Sequence, residues 1–448
     1  MEFEAVCEEL RDRVVPDDEE VRALDRAVDV LTDRAMDAID ALSVDADTVL
    51  VGSTARGTWL AGERDIDIFV RFPPDLPREA LRQYGLEVGY TVLPDGHEEF
   101  AEHPYVKGHY DGFDVDCVPC YDVDDAAQIR SAVDRTPFHN AYLQERIDEL
   151  ADDVRFAKAF LTAIGSYGSN LRTRGFSGFL TELLVLEYGG FRGLIEAAAD
   201  WQPPVELDPE SHGEASFADP LVVIDPTDPG RNVAAVCSAR NVARLIHYAR
   251  ALLENPRVEL FEPYEPEPLD RSAVKRQVEA RATTPVAVRF ETPDVVDDQL
   301  YPQLDKSLSG VENALERAGF EPIRSARFAR ETSVLLVECA VSELSAVVRH
   351  DGPPVGVRNH AEGFFDTYAA DDGVTGPFID TDGRYVVERE RARRTPGALV
   401  DEELFDVSLG PQVKTALETA YDVLVGESVA ELADEFGVEL ARYFSPRP

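Results

Sequence analysis

Residues 65–72 read DIDIFVRF, an alternation of charged and apolar side chains that ends at Pro73-Pro74. A period of two predicts a β-strand with one buried face, and the proline pair ends it. Alternate strand residues point to the same side, so Asp65 and Asp67 place two carboxylates on one face, about 7 Å apart along the backbone. Buried together, two carboxylates repel each other unless a cation lies beside them. The chain must therefore build a sheet that presents paired acids on one face.

The neighbouring segments supply further strands and a third acid. Residues 48–51 predict a short strand, and residues 105–110 and 113–118 flank Asp111-Gly112, a strong hairpin signal. The second hairpin strand carries Asp114 and Asp116, which share a face, so strand parity cannot decide which of them joins the pair. Carboxylate oxygens of this kind suit Mg²⁺, which takes its other ligands from water and substrate phosphates.

The loop between the first two strands, GSTARGTWLAGERD, carries groups that suit a phosphate. Gly52 permits close backbone approach, Ser53 offers a hydroxyl and an amide N–H, and Arg56 can grip phosphate oxygens with two N–H groups. Three carboxylates holding two metal ions about 4 Å apart would activate an attacking hydroxyl and neutralise a leaving phosphate. Taken together, these residues predict nucleotidyl transfer.

The chain has 448 residues, which corresponds to roughly three domains at about 150 residues each. We predict an α+β, multidomain fold: a catalytic domain over residues 1–135, a helical central domain over 136–265, and an α+β C-terminal body and tail over 266–448. The acidic, proline-rich segment EPYEPEPLD near residue 266 is the predicted linker. The apolar periodicity predicts helices over residues 19–42, 138–150, 154–164, 178–188, 241–253, 303–318 and 410–424.

Charge and composition indicate the salt conditions that suit the protein, but they do not decide which partners it binds. The net charge is −43, the acids are spread along the whole chain, and only five of the basic residues are lysines. This pattern resembles salt-adapted proteins. In molar salt the Debye length falls to about 3 Å, so global repulsion is screened and short, fitted contacts survive. Net charge therefore does not exclude a nucleic acid partner.

The sequence predicts a soluble, cytoplasmic protein with reduced cysteines. No apolar run reaches the roughly 18 residues needed to cross a bilayer, and the N-terminus is acidic and amphipathic rather than signal-like. Five cysteines are an odd number, which argues against a disulfide framework. Cys117 and Cys120 form a CxxC without a second pair or a nearby histidine, so we interpret them as two packed thiols.

Six segments resemble the archaeal-type (class I) CCA-adding tRNA nucleotidyltransferases, members of the polymerase-β-like superfamily. The resemblance starts at GSTARGTWLAGERDIDIFVRFP (52–73) and spans most of the chain. The other segments are VDCVPCY (115–121), SAVDRTPFHNAYL (131–143), GFSGFLTELLVLEYGGF (175–191), DPTDPGRNVAA (225–235) and GPPVGVRNHAEGF (352–364). The first segment alone would indicate only the superfamily, whereas the set in this order is specific to the class.

The resemblance implies a function and a site. It implies that the chain adds C, C and A to tRNA 3′ ends from CTP and ATP without a nucleic-acid template, and repairs incomplete ends. By family position, the metal ligands would be Asp65, Asp67 and Asp116, in a two-Mg²⁺ site. The triphosphate and nucleotide would contact Ser53, Arg56, His139, Lys158 and Tyr167. Arg231 would read the incoming base together with tRNA phosphates. A homodimer stays open, because the sequence does not determine the oligomeric state.

Two other functions stay open from the sequence. The first is a different nucleotidyltransferase of the superfamily, such as a poly(A) polymerase. The second is a non-catalytic RNA-binding protein on the same scaffold, against which the intact acidic triad argues. The basic segment ERERARR (388–394) is the densest cluster of arginines, and we expect it to contact the tRNA backbone.

Overall fold

The computed structural model describes residues 1–100 and 102–448. These residues form two compact units, one of residues 1–264 with Pro448 and one of residues 265–447. The helices of the first unit are α1 (Phe3–Val14), α2 (Asp18–Asp40), α3 (Gly52–Ala55), α4 (Arg78–Val92), α5 (Thr136–Gln144), α6 (Ala151–Ala163), α7 (Gly178–Glu187), α8 (Phe191–Asp200) and α9 (Ala239–Glu254). Its strands are β1 (Asp47–Val51), β2 (Asp65–Phe72), β3 (His97–Phe100), β4 (Pro104–Tyr110), β5 (Phe113–Tyr121), β6 (Val205–Leu207), β7 (Leu221–Asp225) and β8 (Asp228–Asn232).

A mixed sheet with the strand order β1-β2-β5-β4-β3 organises the first half of this unit. β2 and β5 run parallel side by side, while the other neighbours are antiparallel. The even-numbered residues of β2, with Val115 and Cys117 of β5, face α2 and α4 in one core. Phe69, Val118 and Cys120 lie on the opposite face in a smaller core. Because side chains alternate, Asp65 and Asp67 share the face of Phe69, away from α2 and α4.

The second half of the unit is mostly helical. α6, α7, α8 and α9 pack around a shared core, which also includes the apolar face of α1 and residues of β7. α7 is buried on nearly all sides, so its sequence has no polar face. A small sheet with the order β6-β7-β8 completes this half.

The second unit has two sheets. Its helices are α10 (Arg271–Arg281), α11 (Asp297–Ala318), α12 (Arg358–Tyr368), α13 (Pro396–Glu403), α14 (Pro411–Thr419) and α15 (Ala433–Phe444). Its strands are β9 (Thr284–Glu291), β10 (Pro322–Ala329), β11 (Thr332–Cys339), β12 (Val347–Pro354), β13 (Val374–Ile379), β14 (Arg384–Glu390) and β15 (Tyr421–Val425). The sheet β10-β11-β9-β15 has α11, α13 and α14 on one face and α10 and α15 on the other. The sheet β12-β14-β13 carries α12.

The α+β, multidomain prediction is confirmed, and most predicted helices and strands are present. The helix predicted over residues 410–424 is wrong in its second half, because residues 421–425 form β15 and pair with β9. The helix predicted over 138–150 ends at Gln144, and a new helix begins at Ala151. The three-domain division at residues 135 and 265 stays a prediction. Across residues 1–100 and 102–448, each helix is too short or too polar to span a bilayer.

Candidate active site

Four aspartates lie on one face of the mixed sheet, where β2 and β5 begin. The register pairs Asp65 with Asp114 and Asp67 with Asp116. We call these four residues the acidic cluster. Neighbouring strands are about 4.8 Å apart, so each pair brings two carboxylates side by side. The sequence predicted the shared face but not the pairing, which depends on the parallel alignment of two segments about fifty residues apart.

The end of β1 closes the acidic cluster on one side. Val51 pairs with Asp67 in the sheet, and Gly52 follows with φ of +78°. A Cβ atom at Gly52 would lie 2.4 Å from Oδ2 of Asp67, which is far inside van der Waals contact. Thr54 then donates its hydroxyl to the backbone oxygen of Asp65 at 2.6 Å. Ser53 lies between these two contacts and is half-buried. The loop is thus fixed directly against the predicted metal ligands.

Burial and neighbouring negative charge raise the pKa of two members of the acidic cluster, Asp65 and Asp67. Burial, followed by the charges of Asp116 and Asp65, raises the pKa of Asp67 to about 6. Burial and the charge of Asp114 also raise the pKa of Asp65. On the far side of the cluster, Lys107 of β4 lies opposite Asp116, with its Nζ 3.1 Å from Oδ1. The site is therefore a half-buried concentration of negative charge that one lysine compensates in part.

This donor set fits a divalent metal ion bound mainly by substrate and water. No three His, Cys, Asp or Glu side chains among the described residues are close enough to form a complete metal-binding group. Mg²⁺, however, needs only one or two protein carboxylates when phosphates and water complete its shell. Asp67 and Asp116 supply such a pair, and the buried Oδ1 of Asp116 already has a cation, the ammonium of Lys107, 3.1 Å away. The raised pKa of Asp67 indicates a site that favours a cation.

Helix α6 holds the next part of the loop through its cations. Lys158 is 1% exposed and donates to the backbone oxygen of Thr58 at 2.9 Å. Arg155, one turn earlier, donates Nε to the backbone oxygen of Trp59 at 2.9 Å. Burial lowers the pKa of Lys158, although the charges of nearby carboxylates oppose this effect. Lys158 thus lies directly beneath the loop, where it fixes the backbone.

A buried carboxylate of α7 holds the side chains of the same loop. Glu182 lies with its Oε2 2.9 Å from Nε and 2.7 Å from Nη2 of Arg56. Its other oxygen accepts a hydrogen bond from the hydroxyl of Thr58. Asn140 of α5 accepts from Nη1 of Arg56 at 2.8 Å. Tyr167 is close enough to Glu182 and Arg56 for their charges to act on it, and its pKa is raised, mainly by burial. The structure therefore brings Arg56, Lys158 and Tyr167 together around the loop.

His139 and Arg231 meet at a second buried carboxylate, Asp225, at the end of β7. His139 Nε2 lies 2.8 Å from Oδ2 of Asp225, and Arg231 Nη1 lies 2.7 Å from the same oxygen. The ring of His139 also stacks on Phe179, with centroids 3.8 Å apart. Burial acts to raise the pKa of Asp225, but the hydrogen bond from His139 and those from Thr227 hold it well below its usual range. Because α5 carries both Asn140 and His139, it connects this carboxylate to the Arg56 loop.

Sequence reasoning missed three groups in this site, namely Lys107, Glu182 and Asp225. Each had a signal. Glu182 is the only charged residue of the apolar run GFLTELLVL, and Asp225 ends the apolar strand LVVID. A lone carboxylate inside an apolar segment indicates a buried partner. Lys107 alternates with the apolar residues of β4 on the face of the acids, which only the sheet register reveals.

Models of three protein-domain families match successive parts of the chain. Residues 33–139 match the model of a nucleotidyltransferase domain. Residues 152–262 match the second domain of tRNA nucleotidyltransferase, and residues 281–426 match the C-terminal domain of the CCA-adding enzyme. The fold and the site therefore define a nucleotidyltransferase.

Relatives that match over their full length show which kind of nucleotidyltransferase the chain resembles. The chain is 58% identical to the CCA-adding enzyme of Haloarcula marismortui, over 100% of this chain and 99% of that one. It is 39% identical to the CCA-adding enzyme of Methanosarcina barkeri, over 98% of this chain and 99% of that one. The chain therefore belongs to the CCA-adding enzyme family.

The solved structure of E. coli MS115-1 CdnC with ATP is 18% identical, with a TM-score of 0.46, over 58% of this chain and 95% of that one.

Proposed function

We propose that the chain adds C, C and A to the 3′ end of tRNA, using CTP and ATP and releasing pyrophosphate, and that it restores incomplete ends. The observation that carries the proposal is the register of β2 and β5. It sets Asp67 beside Asp116, at the point where Gly52 lies against the side chain of Asp67. Full-length identity to relatives named CCA-adding enzyme supports the choice of reaction.

The reaction is an in-line displacement in which the terminal ribose hydroxyl attacks the α-phosphorus of the nucleotide. The bond from the α-phosphorus to the bridging oxygen breaks, and pyrophosphate leaves. Ser53 and Arg56 would bind the triphosphate, and Lys158 and Tyr167 would support it from below the loop. His139 and Arg231, held by Asp225, would orient the base and ribose. Catalysis on this arrangement is positioning and charge neutralisation.

Asp65, Asp67 and Asp116 would hold the divalent cation, and Mg²⁺ is the ion whose preferences they match best. When bound, Mg²⁺ supplies neutralising charge at the triphosphate and lowers the pKa of the attacking hydroxyl. The carboxylates must be ionised to do this. Asp116 lies directly opposite Asp67 in the sheet, and its side chain is 24% exposed against 48% for Asp114, which supports Asp116 as the third ligand.

The decisive experiment is an extension assay. A tRNA that ends at its discriminator base is incubated with CTP, ATP and Mg²⁺ in molar KCl, and its length is measured at single-nucleotide resolution. We expect growth to stop after three additions. A long A tail would instead indicate a poly(A) polymerase, and absence of incorporation would favour a non-catalytic RNA-binding protein. Asp65→Ala and Asp67→Ala should each abolish incorporation while tRNA binding persists.

The tail segment ERERARR is a second part of the proposal, as a contact for the tRNA backbone. Arg393 is already paired with Glu402 at 2.8 Å and Glu403 at 2.7 Å. Arg391 is the better test residue. Arg391→Glu should raise the KM for tRNA about threefold or more and leave the KM for CTP unchanged. Arg358→Glu, on an exposed helix of the same unit, is the matched charge reversal, and equal KM values for the two variants would contradict the proposed contact.

A homodimer is the last part of the proposal. Light scattering after gel filtration in molar KCl measures the mass in solution, which for the monomer is 49.6 kDa. A mass that stays at this value over the range of concentrations used for the assay would reject the dimer.

A further inference from the structure

Helix α7 on its own gives no reason for a carboxylate at Glu182. It lies in the middle of the mostly apolar helix α7, and its side chain is completely buried. Taking a carboxylate out of water costs several kcal/mol unless charged or hydrogen-bonding partners compensate for the lost water. The groups that Glu182 contacts must therefore compensate for the burial of its charge.

Those groups belong to one loop. One oxygen of Glu182 faces Nε and Nη2 of Arg56, and the other accepts from the hydroxyl of Thr58. An arginine has five N–H donors. The contacts with Glu182 and Asn140 engage at most three of them. At least two donors of Arg56 can therefore still face a ligand while its guanidinium is held in one orientation.

The same loop is fixed to the acidic cluster at its start. Gly52 lies against Asp67, and Thr54 donates to the backbone of Asp65. The loop thus has one end on the predicted metal ligands and the other on Glu182. The position of Glu182 consequently sets the distance between the cation of Arg56 and the carboxylates.

We propose that Glu182 is a positioning residue for the nucleotide: it holds the guanidinium of Arg56 so that its remaining N–H groups meet the triphosphate beside the acidic cluster. This inference rests on the proposed function, in which Arg56 contacts the triphosphate. A guanidinium that is already fixed loses less side-chain entropy when a phosphate binds. Glu182 therefore acts on nucleotide affinity through Arg56 and does not touch the reacting atoms.

The test is Glu182→Gln, which keeps the shape of the side chain and removes its charge. We expect the Kd for a CTP analogue with a methylene bridge between the α- and β-phosphates to rise at least tenfold. The KM for CTP should rise with it, kcat should change less than threefold, and tRNA binding should be unchanged. Glu187→Gln makes the same chemical change at the exposed end of the same helix and should leave all four quantities unchanged. A lower Tm with an unchanged Kd would overturn the proposal.

A double-mutant cycle separates the positioning role of Glu182 from the contact of Arg56 with the triphosphate. If Glu182 acts through Arg56, then Arg56→Lys with Glu182→Gln should weaken analogue binding no more than Arg56→Lys alone, whereas additive losses would overturn the role of Glu182. Unchanged affinity in Arg56→Lys would contradict the contact of Arg56 with the triphosphate itself. If Glu182→Gln fails to fold by circular dichroism, Glu182→Asp replaces it, since it keeps the charge but shortens the side chain. It should also weaken binding, and unchanged affinity there would overturn the proposal.

Discussion

At the scale of single residues, Gly52 is the glycine that the acidic cluster itself requires. Any side chain at this position would place its Cβ 2.4 Å from the Oδ2 atom of Asp67, so Gly52→Ala must move either the loop or the carboxylate. A displacement of about 1 Å at reacting groups can cost roughly 100-fold in rate. We expect Gly52→Ala to lower kcat/KM for CTP by about that factor, measured by single-nucleotide extension.

Gly57 is the matched control for Gly52. It also has a positive φ, +63°, but among the described residues outside its immediate neighbours no heavy atom lies within 4 Å of a Cβ placed there. Gly57→Ala therefore bears a similar backbone strain of about 1 kcal/mol without meeting a carboxylate. If the two variants lost activity equally, backbone strain rather than contact with Asp67 would be the cause.

Asp67 should destabilise the metal-free protein at neutral pH. Its pKa rises from 3.8 to about 6 on folding, so the folded protein binds this proton more tightly than the unfolded chain. The loss in free energy of unfolding caused by ionised Asp67 is absent below about pH 4 and grows as the pH rises to about 6. Asp67→Asn should therefore raise the free energy of unfolding at pH 7 by about 1–2 kcal/mol, although we expect it to abolish CCA addition.

Urea unfolding in EDTA and molar KCl measures this difference. The advantage of Asp67→Asn should shrink as the pH falls from 6 towards 4. A variant that is less stable than the natural protein at pH 7 would show that the other carboxylates do not repel Asp67 as the structure indicates.

At the level of elements, the hairpin of β7 and β8 holds two predicted nucleotide-binding side chains through one carboxylate. Asp225→Asn would leave His139 and Arg231 with a neutral partner. Hydrogen bonds to charged groups contribute about 1.5–3 kcal/mol. We therefore expect the KM for CTP and ATP to rise about tenfold and stability to fall by about 1–3 kcal/mol, measured by steady-state kinetics and thermal unfolding.

Asp228→Asn, on the same hairpin, is the control. Asp228 contacts Arg135 at 3.2 Å and is partly exposed, and it reaches neither His139 nor Arg231 directly. Its KM values should stay within about twofold of the natural protein. A larger change in this variant than in Asp225→Asn would indicate that Arg135, rather than the pair on Asp225, orients the nucleotide.

Local alternation was enough to predict β2 and β4, which begin within a residue of where the pattern does. The helix predicted over 410–424 failed where local and long-range preferences compete. Residues 421–425 read YDVLV, rich in strand formers, and pairing with β9 decides their conformation. Helical periodicity extended across them because apolar residues also recur there at a helical spacing.

In the site, too, features that depend on long-range contacts could not be predicted from local sequence. Residues of the loop and of β2 were recognisable because their chemistry is local in the chain. Whether Asp114 or Asp116 faces Asp67 depends on a parallel register that no short segment contains. Glu182 and Asp225 are bound to residues 126 and 86 positions away, respectively, so their partners could not be inferred from spacing.

For the whole molecule, charge is the dominant property. A net charge of −43 opposes compaction unless salt screens it. We expect transfer from about 2 M to 0.1 M KCl to reduce CCA addition at least tenfold, with loss of helical structure followed by circular dichroism. Full activity and unchanged ellipticity in dilute buffer would contradict this dependence.

The carbonyls of residues 58 and 59 are held by cations of α6, and the side chains of residues 56 and 58 by an acid of α7. Chimaeras assembled from two relatives should therefore be spliced near residue 264, where one compact unit ends. A junction near residue 145 would combine a loop from one parent with helices from another, and the mismatch would surface as poor turnover even though both fragments came from active enzymes.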